Sequence, residues 1–153
     1  MLREFLCLYP LQPVSEKYNY CSKFWRVEMF WKIIYIAVAG AAGTLARYWL
    51  GGLIQRNITV GFPFGTAAVN IVGCLVFGLL WAFMESRLSI SGQIRTVIFI
   101  GFFGAFTTFS SFMFETAQLL DESQWLWASA NIILQNVLGL VSIIIGLTIG
   151  RLV

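Results

Sequence analysis

The sequence predicts an all-α membrane protein: four transmembrane helices with a break in the third. Three observations carry this reading. Apolar residues make up 59% of the 153 residues and charged residues 11%, where a soluble domain has about 45–50% and about 25%. Ten basic and seven acidic side chains are too few to cover a water-facing surface, and the mean hydropathy of +0.81 excludes disorder. The apolar residues also gather in four runs, 31–50, 64–84, 96–120 and 124–150. Each is near the roughly 20 residues that a helix needs to cross a bilayer.

Residues 1–28 stand apart. They hold Arg3, Glu4, Glu16, Lys17, Lys23, Arg26 and Glu28, and two of the three prolines. No apolar core follows a basic start, so this is not a secretory signal. Two readings stay open: a poorly ordered or interfacial arm, or a start-site artefact with Met29 the true first residue. The domain is then 29–153.

The first run, 31–50, is apolar apart from Lys32 and Arg47, with Trp31, Tyr35, Tyr48 and Trp49 as interfacial aromatics. Its stretch Ala39, Gly40, Ala41, Ala42 and Gly43 is thin enough for another backbone to approach. A polar loop is expected over 51–63. The second run has no charge. Gly65, Gly73 and Gly78 mark close packing, and Asn70 is the strongly polar residue well inside it. After a mixed-charge loop over 85–95, the third run clusters Gly101, Gly104, Thr107, Thr108, Ser110 and Ser111 where lipid would favour Leu or Ile. This reads as a helix broken near the bilayer midplane. Such backbone survives at that depth only inside protein or along a wet cavity. Asp121 and Glu122 form a turn. In the fourth run Asn131 and Gln135 are i, i+4 and share a face.

Counted from Met29, Lys32, Arg87, Arg95 and Arg151 lie on the N-terminal side and Arg56 on the other, with Arg47 near that end. The bias places both termini in the cytoplasm. It is small enough to leave insertion in both directions open.

Composition also removes chemistry. Without histidine there is no His base, triad or metal ligand. Cys7, Cys21 and Cys74 form no CxxC pair. A net charge of +3 is too dilute for nucleic acid and fits lipid headgroups. The chain reads as a non-enzyme.

The polar residues inside the runs each admit two readings. Arg47 is a snorkelling arginine or a cation that concentrates anions at a vestibule. Asn70 is an interhelical hydrogen-bond partner or an amide donor to an ion. Thr107, Thr108, Ser110 and Ser111 cap two half-helices or line a path, and the freed carbonyls can hold a cation. Phe109 and Phe112, at i, i+3, pack or turn positive ring edges toward an anion. Glu115, one turn on, is a structural partner for a dipole or for Arg47.

Three segments resemble the Fluc/CrcB fluoride channels. AGAAGTLARY at 39–48 is similar to GGxxGAxxRY, PFGTAAVNIVG at 63–73 to PxGTLxVNxxG, and GFFGAFTTFSSFMFE at 101–115 to GxxGxxTTFSTFxxE. Ala39, Thr44, Ala67 and Ser111 are the departures, all small or conservative. The resemblance implies an antiparallel, dual-topology homodimer in the cell (plasma) membrane, in which a second copy is inverted and two pores carry fluoride. It implies a central structural Na+ held by the carbonyls of Gly104 and Thr107. The pore residues would be Asn70, Phe109 and Phe112, with polar lining from Thr108, Ser110, Asn131 and Gln135. Transport would be passive export, driven by HF that enters and dissociates inside. The competing expectations are a small four-helix multidrug or cation exporter, for which Glu115 is the sole membrane carboxylate, and a non-transporting assembly subunit.

Overall fold

The computed structural model describes residues 14–56, 58, 61–86 and 90–152, with side chains described from residue 27 onward. The chain divides into two compact units, Met1–Tyr35 and Ile36–Val153. In the first, Trp31 meets the rings of Phe30 and Tyr35. Of residues 1–28, read as an arm or a start-site artefact, 1–13 lie outside the described residues, as does Arg87, and 14–28 belong to the first helix. The helix packing and the site described below lie in the second unit.

Every described element is helical: α1 (Val14–Gln55), α2 (Phe64–Ser86), α3 (Gly92–Thr96), a π-helical stretch (Val97–Phe103), α4 (Gly104–Phe106), α5 (Phe109–Asp121) and α6 (Trp125–Leu152). Four segments are long and apolar enough to cross a membrane: Val27–Gln55, Phe64–Ser86, Gly92–Asp121 and Trp125–Leu152. Each overlaps one of the four runs read from the sequence. The third contains α3, the π-helical stretch, α4 and α5.

The first span runs further than the sequence indicated. Gly51 and Gly52 look like the start of a loop, yet α1 continues to Gln55. The reason is packing. A Cβ on Gly65 would stand 2.6 Å from the Gly51 carbonyl oxygen, so α1 and α2 touch backbone to backbone here. Gln55 then secures the connection. Its Oε1 accepts from the Gly65 amide at 3.0 Å, and its Nε2 donates to the Phe62 carbonyl at 3.2 Å. Phe62 is buried between Phe64 and Trp127.

α2 and α6 pack along their lengths. The small residues make this possible. A Cβ on Gly78 would overlap the Ile143 carbonyl, and one on Gly146 would overlap the Leu75 carbonyl. In lipid, where apolar burial gives little drive between helices, this backbone approach and its dispersion contacts are the main source of association. The core lies between α2 and the third span. Val69, Met84, Phe99, Phe103 and Phe106 are buried together, with Phe77 and Phe102 packed against them. The turn between α5 and α6 closes through Ser123 at φ 60°, and the Gln124 amide reaches back to Leu119 at 2.8 Å.

Candidate functional site

The break expected in the third span falls at Thr107 and Thr108. α4 ends when Thr107 turns to an extended ψ of 156°, and Thr108 follows at φ −148°, ψ 117°. Thr108 then starts α5 as its N-cap: its Oγ1 accepts from the Ser111 amide at 3.2 Å and donates to Ser111 Oγ at 3.0 Å. Such a cap contributes about 1 kcal/mol. Before the break the helix is already loosened by the seven-residue π-helical stretch. No feature of the sequence reading had foreseen that stretch. Its i→i+5 pattern often marks functional sites.

A break in lipid leaves backbone groups without partners, at several kcal/mol each. Asn70 on α2 meets this cost. Its Oδ1 accepts from the Thr108 amide at 2.9 Å, and its Nδ2 donates to the Thr108 carbonyl at 3.1 Å. One side chain thus satisfies both backbone groups of one residue. The small α2 residue Gly73 lets the helices come this close, since a Cβ there would overlap the Thr107 methyl.

From Asn70 a line of bonds leads away. Nδ2 also donates to Gln135 Oε1 at 2.7 Å, and Gln135 Nε2 donates to Asn131 Oδ1 at 2.9 Å. Asn131 Nδ2 donates to Thr116 Oγ1 at 2.9 Å, and Thr116 Oγ1 donates to the Phe112 carbonyl at 2.7 Å. Asn131 is fully buried, at 0% exposure. Asn70, Asn131 and Gln135, separate in the sequence, are therefore one network, and both readings of Asn70 must accommodate two donor hydrogens already in use.

Phe109 and Phe112 lie at the head of α5 with ring centroids 5.8 Å apart and planes at 72°. They differ in setting: Phe112 is 4% exposed and Phe109 72%. Gly104 is exposed too. In a continuous helix the Thr108 amide would close on the Gly104 carbonyl. Here it is turned to Asn70.

A cleft of about 650 Å³ opens beside the break, lined among others by Thr44, Arg47, Thr66, Thr108, Ser111 and Glu115. Arg47 and Glu115 share this cleft, but Glu115 Oε1 accepts from the Thr66 hydroxyl and Oε2 has no partner among the described residues. Of the two partners expected for Glu115, a dipole or Arg47, the hydrogen bond found is with a dipole, the Thr66 hydroxyl. Ser110 is exposed, and its Oγ stands 3.3 Å from Thr108 Oγ1.

Two participants escaped the sequence reading, Thr66 and Thr116. Thr116 follows Phe112 by four residues, so the helical period alone puts these two on one face of α5. Thr66 has no comparable signal, because its partner is 49 residues away.

Among the described residues no cluster of Cys, Asp, Glu or His could hold a metal.

These features define a multi-pass membrane protein built around an interrupted, polar-clasped helix. Residues 34–147 match the family described as CrcB-like protein, Camphor Resistance (CrcB). Three relatives bear the name fluoride-specific ion channel FluC. One, from Nitrosococcus oceani, is 50% identical over 125 residues, 82% of this chain and 100% of that protein. Another, from Desulforapulum autotrophicum, is 48% identical over 122 residues, 80% of this chain and 98% of that protein. A third, from Solidesulfovibrio magneticus, is 48% identical over 125 residues, 82% and 100% of the two chains. This chain belongs to the CrcB family.

Proposed function

We propose that the protein is a fluoride-selective channel that lets fluoride leave the cell passively, down its electrochemical gradient across the plasma membrane. The observation that carries this is the family match joined to the helix break: relatives named for fluoride conduction match this chain over four fifths of its length, and the break gathers uncharged donors. Fluoride is small and holds its water tightly. A conducting site must replace that water with donors weak enough to release the ion again. The hydroxyls of Thr108 and Ser110, the ring edges of Phe109 and Phe112 and the amide of Asn70 are such donors. Fluoride would compete for the Asn70 hydrogen now given to Gln135 Oε1. Arg47, in the cleft, raises the local anion concentration without sitting at the break.

The functional unit in this reading is a homodimer of inverted copies. Phe109 and Gly104 are exposed on a single chain, and a second copy would cover them. A two-fold contact would set the two breaks face to face. The Gly104 carbonyl, lacking its helical donor, and the extended Thr107 fit a monovalent cation, so these two would hold Na+. Bound there, it would supply positive charge between opposed carbonyls.

The exporter alternative needs a carboxylate free for substrate. Glu115 keeps Oε2 unpartnered among the described residues, so its geometry does not decide the matter; the relatives, which carry the name of ion channels, favour the channel. In liposomes loaded with fluoride, the purified full chain should release it rapidly when an ionophore collapses the opposing potential, and should leave chloride inside. A correctly folded preparation that releases no fluoride rejects the channel.

A further inference from the structure

The line of bonds from Asn70 begins and ends on backbone groups of the same short segment. Thr108 and Phe112 bracket the first turn of α5, and the line leaves it through α2 and α6 before returning. The two ends have fixed and opposite characters. The Thr108 amide can only donate and the Phe112 carbonyl can only accept. Each amide side chain between them therefore has one permitted orientation. Asn70 must turn Oδ1 to Thr108. Gln135 must turn Oε1 to Asn70, and Asn131 must turn Oδ1 to Gln135. A single reversed amide would set NH2 against NH2 or oxygen against oxygen somewhere along the line.

Thr116 is the member that makes the far end work. Its hydroxyl accepts from Asn131 and donates to the Phe112 carbonyl, joining the last amide to a backbone acceptor. The residue is 5% exposed and takes no part in the cleft lining. It stands one turn beyond Phe112, on the buried face of α5.

We infer that Thr116 is a positioning residue for fluoride passage: Thr108 orients the Asn70 amide at one end of a polarised hydrogen-bond line, and the Thr116 hydroxyl holds the other end, keeping Asn131 and Gln135 placed so that Gln135 Oε1 meets the Asn70 hydrogen. The inference rests on the channel reading. It differs from a packing role in what it requires of Thr116, a group that accepts and donates at once, rather than a group of a given shape.

Thr116→Val keeps the shape and removes the hydroxyl. Asn131 Nδ2 is then left without its acceptor, and the line is held from the Thr108 end alone, so Asn131 and Gln135 are no longer anchored where Gln135 Oε1 meets Asn70. Thr116→Ser keeps the hydroxyl and loses one methyl. Fluoride release from liposomes should fall roughly tenfold or more in the Val variant, the scale of one buried hydrogen bond left unmade, and should return to the wild-type rate in the Ser variant. Thr116→Ala should lose as much as Val, so the reading does not depend on one variant reconstituting. A Val variant as fast as wild type, or a Ser variant as slow as Val, overturns the inference. The wild-type chain measured alongside separates the two proposals: its silence defeats the channel reading, whereas an active wild type with indifferent Thr116 variants defeats this one alone.

Discussion

Asn70 illustrates how much a single side chain settles here. An amide both accepts from and donates to Thr108, and neither a carboxylate nor an aliphatic group can do both. In Asn70→Asp the two donated bonds are lost and a negative charge enters an anion path. Fluoride release should stop, and a normal rate in liposomes would mean that the clasp lies off the conduction route. The two phenylalanines separate packing from conduction. Phe109 is largely exposed and Phe112 buried, so Phe109→Ile should lower the flux with little effect on folding. Phe112→Ile should lower both. If neither substitution slows release, ring edges contribute nothing to the passage.

Among the elements, the third span and the α2–α6 pair behave oppositely. The third span is interrupted where continuity would be cheapest, and it stays so because Thr108 caps one side and Asn70 satisfies the other. The α2–α6 pair is uninterrupted and held by backbone approach. Gly146 has no room for a methyl, because its Cβ would overlap the Leu75 carbonyl, a backbone atom that cannot swing aside. Gly146→Ala should therefore force the helices apart and cost about 1–3 kcal/mol. The measurement is the Tm of the detergent-solubilised protein. An unchanged Tm would show that the pair has slack that the backbone distances do not allow.

For the whole molecule, the proposed assembly makes two measurable demands. If Na+ is held by Gly104 and Thr107, fluoride flux should fall when sodium is replaced by a large organic cation during purification and reconstitution, and should recover when sodium is restored. A flux indifferent to sodium removes the central cation. If copies insert in both directions, a C-terminal reporter should be found on both sides of the membrane. One orientation alone removes the inverted partner. Mass spectrometry of the N-terminus decides between an arm over 1–28 and a start at Met29: peptides upstream of Met29 retain the arm.

The four spans were legible because lipid imposes a crude and local demand, a run of apolar residues of sufficient length, which any window of the sequence reveals. The break was legible for the converse reason: two glycines and four hydroxyls amid Phe are costly in a lipid-facing helix, so their clustering implies another use. Sequence also selected Asn70, Asn131 and Gln135, since each is an uncompensated amide in an apolar run. Only the tertiary structure decided what they do. Their partners sit 38 and 65 residues apart along the chain, and no local pattern states which amide faces which. The same holds for Gly51, read as a loop and found in a helix because α2 lies against it, and for Glu115, whose partner is Thr66. Hydropathy fixes where the backbone crosses, because that energy sums over neighbours in sequence; hydrogen-bond pairing is directional and short-ranged, and it is settled only when packing brings donor and acceptor atoms of helices distant in the chain within about 3 Å.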